Sequence, residues 1–149
     1  MKIHKMSYIV GFVMVAAGIT AIAEESKLPA LSDSEYTGLT SSYSKAKDCI
    51  FSNTISNWTI LDDRSLILYA PTRKRPFYVK LATRSHELRF AHAIGVYSKF
   101  DNRFCPYGGN ALFIDGNRNL IQAIKKIDGD TAKQLVAYHK AKKAQKKGM

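Results

Sequence analysis

Apolar and polar positions alternate in short runs through the middle of the chain. Trp58-Thr59-Ile60-Leu61 leads into Asp62-Asp63-Arg64 and then Ser65 to Ala70. Two β-rich runs about an Asp-Asp turn read as a hairpin. Pro71 to Pro76 encloses Arg73, Lys74 and Arg75 and makes a second turn. Phe77 to Leu81 then alternates with period 2, which predicts Phe77, Val79 and Leu81 facing a core and Tyr78 and Lys80 facing out. Thr83 to His92 reads as a loop or short helical turn, and Ala93 to Ser98 as a strand. Asp101-Asn102 marks a turn before Arg103-Phe104-Cys105, and Pro106 to Gly109 another loop. Asn110 to Asp115 is the next strand, closed by a tight Gly116-Asn117 turn. Asn119 to Ile127 fits helix or strand, and the turn before it favours strand. Short strands with closely spaced turns predict a mainly β fold: a small antiparallel sheet, curled or barrel-like.

The flanks differ from this middle. Lys2 and Lys5 precede an uncharged, mostly apolar stretch over 6–23 that ends in Ala21-Ile22-Ala23, with Glu24 and Glu25 beyond. A basic start, an apolar run and an A-x-A site form a secretory pattern, so 1–23 is expected to be a cleaved signal peptide. The competing expectation is an N-terminal membrane anchor. The run lies at the short edge of the roughly 17–25 residues a span needs, and Gly11, Gly18 and Thr20 weaken it. Residues 24–44 are polar and broken by Pro29 and Gly38, which predicts a flexible leader. The β domain is placed at 45–128 and a basic helical tail at 129–149. Asp130-Thr131 can cap a helix from Ala132 to Lys147. Leu135 and Val136 are its only large aliphatic residues, which predicts weak docking or fraying.

Composition narrows the function classes. A chain of 149 residues makes one domain and is too short for a barrel enzyme of about 250 residues. An apolar fraction of 46% excludes a wholly disordered chain. The net charge is +11, and residues 131–149 hold six lysines and no acid, so the tail supplies more than half of it. The sequence has no phosphate-binding loop, dinucleotide fingerprint or internal repeat.

Candidate chemistry is sparse. Asp62 and Asp63 are adjacent, so on a strand they point to opposite faces; a turn in which Asp bonds its own backbone explains them. His86 and His92 with Glu87 are too thin a set for zinc, and no metal or cofactor is expected. Arg73-Lys74-Arg75 before Pro76-Phe77-Tyr78 interleaves cations with aromatics, as a single-stranded nucleic-acid surface does. With Lys80 and Arg84 these residues form a candidate anion-binding patch. Export argues against nucleic acid and for an acidic envelope surface, lipid headgroups or anionic polysaccharide. Lys140, Lys142, Lys143, Lys146 and Lys147 form a second candidate, each adding about 1 kcal/mol near anionic lipid. A solubilising, frayed tail explains them equally well. Tyr107-Gly108-Gly109 is either a ligand loop or a crossing turn.

Cys49 and Cys105 are the only cysteines. In an oxidising compartment an even count predicts a disulfide. The alternative is a reactive Cys105 thiol with His86 or His92, which no CxxC supports.

Several segments together resemble a family of small exported bacterial proteins that is catalogued only as a domain of unknown function. They are Cys49-Ile50-Phe51-Ser52, Ile55, Trp58 to Leu66 with its Leu61-Asp62-Asp63-Arg64-Ser65-Leu66 hairpin, and Tyr78 to Leu81. Glu87-Leu88-Arg89-Phe90 and Asn102-Arg103-Phe104-Cys105 complete the match, over about 47–127. The resemblance implies fold and export but no activity. The chain departs from the pattern in lacking a Cys near Ser85 or His86 and another near Asn119. If those two pair, the resemblance leaves Cys49–Cys105 as the surviving bridge.

The expected function is therefore a non-enzymatic, exported binding or accessory module of the bacterial envelope that favours anionic partners, with no transmembrane span once the signal is removed. Two alternatives stand beside it: a small hydrolase or thiol enzyme using Cys105, and a subunit that lends an edge strand to a larger assembly or protein partner.

Overall fold

A computed structural model describes residues 28–99 and 101–149; the expected signal peptide lies outside the described residues. Strand β3 (Ser65–Tyr69) is apolar on both faces, with Leu66, Ile67 and Leu68 all fully buried. Such a strand needs cover on each side, and the rest of the fold supplies it.

β3 pairs with β2 (Asn57–Ile60) in the expected hairpin and with β4 (Pro76–Leu81). β4 pairs with β8 (Asn117–Lys126), β8 with β7 (Ala111–Ile114), and β7 with β5 (Ile94–Tyr97). The result is a curled, antiparallel six-stranded sheet in the order β2-β3-β4-β8-β7-β5. A second sheet joins β1 (Ile50–Phe51) to β6 (Arg103–Phe104).

β8 holds the two halves of the large sheet together. Leu81 faces Ile121 while Lys80 faces Ala123, so Gln122 is bulged out of the ladder. The extra residue lets Ile121 and Ile124, three apart, oppose Leu81 and Val79 on the same face. The displaced Gln122 accepts a 2.9 Å bond from Arg64, whose guanidinium also donates to Leu81 O and Ala82 O at 3.0 Å. Along the last part of β8, residues 46–48 add a short bridge, with Asp48 N donating to Ile124 O at 3.0 Å. The turn into β8 falls one residue earlier than the sequence suggests. Asp115 and Gly116 both have positive φ (48° and 84°), as a two-residue hairpin turn requires.

The concave face of the sheet is filled by Leu66, Leu68, Val79, Leu81, Leu112, Ile114, Ile121 and Ile124, with Ile50, Leu88 and Phe104 from the small sheet and the 86–90 turn. The Cys49–Cys105 disulfide joins the residues just before β1 and just after β6, as the cysteine count predicts.

The convex face behind β2–β4 is covered by two helices, and this corrects four expectations. Residues 33–43, expected to be part of a flexible leader, form α1 (Asp33–Tyr43). A capping box starts it, with Ser32 and Glu35 bonded reciprocally. Tyr36, Leu39 and Tyr43, spaced i, i+3, i+7, pack inward. Tyr78, expected to face solvent, is 2% exposed beneath α1, its ring 5.4 Å from that of Tyr43. Finally, α2 (Gly129–Lys147) is capped by Asp128 rather than Asp130-Thr131: Thr131 N and Oγ1 both donate to its carboxylate at 2.7 Å. This helix docks rather than frays, because Ala132 and Leu135 are buried against Ile67, Tyr78 and Ile127. Among the described residues no helix is long and apolar enough to cross a membrane.

Two outcomes test this packing. Leu135→Ala should lower unfolding free energy by about 2–5 kcal/mol in a denaturant titration, since Leu135 is fully enclosed; a change under 1 kcal/mol would mean an undocked helix. Reducing the disulfide, which closes a loop with a sequence separation of 56, should cost about 4 kcal/mol in the same assay.

Candidate binding groove

Past Leu135, α2 runs beside β2 and the hairpin turn without closing onto them. Val136, His139, Lys140, Lys142, Lys143 and Lys146 line one wall of the gap; Thr59, Ile60, Leu61, Asp62 and Arg89 line the other. The groove has a volume of about 390 Å³. Ile60, Leu61 and Val136 make its apolar lining, and the cations stand over it.

The hairpin wall is fixed by the Asp-Asp turn. Asp62 Oδ1 accepts from Arg64 N and Ser65 N, both at 2.7 Å. This is the turn role expected of it. Asp63 instead holds Arg89 at 3.4 Å, and so turns that side chain into the wall.

The helix wall is fixed by contacts between α1 and α2. Tyr36 and Tyr138 stack with ring centroids 4.2 Å apart, and Tyr138 Oη donates to Asp33 at 2.9 Å. Lys142 Nζ donates to the other Asp33 oxygen at 2.6 Å. The bonds from Lys142 and Tyr138 hold the Asp33 carboxyl below its ordinary range, and the bond to Asp33 raises the Lys142 ammonium. His139 Nε2 lies 3.0 Å from Tyr36 Oη and 3.9 Å from Asp62 Oδ2, so one imidazole touches α1, α2 and the hairpin. Burial lowers its pKa, opposed by the Asp62 carboxylate. Burial also pushes the phenol of Tyr36 well above its ordinary value, and that of Tyr78 up to about 12.

These pairings sort the cations. Lys142 is matched by Asp33 and Arg89 by Asp63. Lys140, Lys143 and Lys146 have no acidic partner among the described residues, so their charge faces the opening. Lys147 is exposed but does not line the groove.

The other predicted anion-binding residues are not brought together. Arg73, Lys74 and Arg75 are exposed in the β3–β4 turn, at the start of β4. Arg84 lies past its end, roughly 20 Å of strand away at about 3.3 Å per residue. Lys80 is half-buried between them. Cys105 carries no free thiol, since it is bonded to Cys49, which removes the nucleophile of the thiol-enzyme alternative. Tyr107 Oη lies 3.4 Å from Cys49 Sγ, so the Tyr107-Gly108-Gly109 loop sits against the bridge. Among the described residues no cluster of three or more His, Cys, Asp or Glu could hold a metal.

Sequence reasoning missed Arg89, His139 and the apolar lining. The spacing of Val136, His139, Lys140 and Lys143 (i, i+3, i+4, i+7) is the signal that places them on one helix face.

Fold and groove together define a small disulfide-closed β domain with a cationic, apolar-lined cleft between its C-terminal helix and first hairpin. The chain belongs to a family of unknown function (DUF6491), whose model matches residues 2–144. No curated protein and no solved structure matches it.

The His139 contacts predict a pH dependence. Its folded pKa lies below the unfolded value, so the unfolded chain takes up the proton first as pH falls. Stability should be full above about pH 6.5 and should decline below it. In His139→Gln that decline should vanish. Asp33 and Asp128 have depressed pKa values, so their contribution is lost only at lower pH, through their folded pKa values. Thermal melts between pH 8 and 5 check this, and equal slopes for wild type and variant would contradict it.

Proposed function

We propose that this protein is an exported, non-enzymatic binding module of the bacterial envelope whose partner is anionic. One observation carries the reading. Lys140, Lys143 and Lys146 are gathered on the rim of a groove without acidic partners among the described residues, while Lys142 and Arg89 are each paired with a carboxylate beside them. Ungathered surface lysines keep a protein soluble; a rigid cleft that concentrates one sign of charge attracts a counter-charged ligand. The disulfide supports the oxidising compartment that the secretory pattern at 1–23 implies. The pairing of both cysteines and the turn role of the Asp-Asp pair favour binding over catalysis.

Co-sedimentation with vesicles rich in phosphatidylglycerol, beside retention on an anionic polysaccharide matrix, tests the proposal. Binding to at least one should weaken as salt rises from 50 to 300 mM. Replacing Lys140, Lys143 and Lys146 together with Gln should weaken it on the order of a hundredfold, at about 1 kcal/mol per lysine. The same replacement of Arg73, Lys74 and Arg75 should change it only a few-fold. No binding to either at 50 mM salt, or equal losses from both triple variants, would overturn the reading.

A further inference from the structure

Resting on that reading, we infer that the groove takes a single amphipathic anion: one alkyl chain bearing a phosphate or carboxylate head. The walls are tied to each other by His139, which reaches both Tyr36 and Asp62. Leu61 on the hairpin wall and Val136 on the helix wall belong to one apolar cluster and, with Ile60 beside Leu61, give the groove its apolar lining, Leu61 being only 9% exposed. Lys140, Lys143 and Lys146 stand on the helix side of that surface. A polysaccharide or nucleic acid would satisfy the lysines and leave the apolar lining in water. A flat lipid surface would meet the lysine ends but not the recessed Leu61. A molecule with both an alkyl segment and an anionic head satisfies both surfaces, and a volume near 390 Å³ falls in the roughly 300–1,000 Å³ range of small-molecule sites.

The fixed pairs around the groove define where the head goes. Lys142 is held by Asp33 and Arg89 by Asp63, so neither is drawn into the head without losing its own partner. Asp62, at the hairpin end, repels an anion there. The head is therefore directed toward Lys143 and Lys146, and the alkyl chain back along Val136, Ile60 and Leu61. Lysine ammoniums on flexible stems take a phosphate or a carboxylate as point charges, without the planar matching an arginine fork demands.

Isothermal titration of the full disulfide-bonded chain with dodecyl phosphate, below its micelle concentration, tests this. Dodecanoate, inorganic phosphate and dodecyl maltoside serve as companions. Dodecyl phosphate or dodecanoate should bind one per chain, at least thirtyfold tighter than either inorganic phosphate or the neutral glycoside. Whichever of the two binds tighter identifies a phosphate or a carboxylate head. Val136→Gln should weaken the alkyl anion about tenfold and leave retention on the polysaccharide matrix unchanged. Lys143→Gln with Lys146→Gln should weaken both, and serves as the second test should Val136→Gln melt early. Alkyl anions binding no tighter than inorganic phosphate would overturn this inference. So would equal binding of the glycoside, or more than one alkyl anion per chain. Retained salt-sensitive binding to vesicles or polysaccharide would then leave the broader reading standing, and its loss would remove both.

Discussion

The structure depends on one constraint: β3 and β4 are apolar on both faces. Leu66, Leu68, Val79 and Leu81 fill the concave side, while Ile67 and Tyr78 require cover on the convex side. A hairpin sheet alone would leave the second set in water at roughly 25 cal/mol for each Å² exposed. The two helices meet that need. Neither is strongly amphipathic over its whole length, and each is held by a few large contacts: Tyr36, Leu39 and Tyr43 from α1, Ala132 and Leu135 from α2. Helical order here follows from tertiary packing more than from intrinsic propensity.

The groove is a by-product of the same constraint. The convex apolar patch ends near β2, but α2 continues past it for about three turns as far as Lys147. Its overhanging part cannot pack onto the hairpin because lysines replace the aliphatic residues. Ile60 and Leu61 on one side and Val136 on the other are thus left partly uncovered beneath a row of charge. The Asp33, Tyr36, Tyr138, His139 and Lys142 contacts keep the overhang in place by tying α2 to α1. That clasp explains why lysines in a tail-like sequence form one wall of a defined cleft.

The strands were legible because their signals are local. Period-2 alternation, the Asp-Asp turn, the Pro71–Pro76 turn and the Asp115-Gly116 turn are each readable over a few residues, and every predicted strand over 57–126 has a counterpart. The two cysteines were legible as a pair from their count. The second face of the sheet was not. Tyr78 has a hydroxyl and sits where alternation assigns an outward residue, so its burial depends on a helix 35 or more residues away in sequence. The Ser32–Glu35 capping box was present in the chain, but Gly38 and the run of Ser and Thr around it hide a helix that is stabilised by distant partners, Tyr78, Tyr138, His139 and Lys142 among them. The basic candidates split for a related reason. Arg73 to Arg84 look contiguous in sequence, yet an intervening strand separates them, whereas Arg89 joins the Lys140–Lys146 group only through Asp63 and the hairpin.

α2 is a docked wall rather than a free tail, with Ala132 and Leu135 buried against the convex face. Amide hydrogen exchange of the oxidised full chain tests it most directly. Amides from Ala132 to Lys140 should be protected to within about tenfold of those in β3 and β4, with protection falling only in the last turn. Exchange across the whole helix at the rate of an unstructured lysine-rich peptide would contradict it, and would leave the groove without its cationic wall.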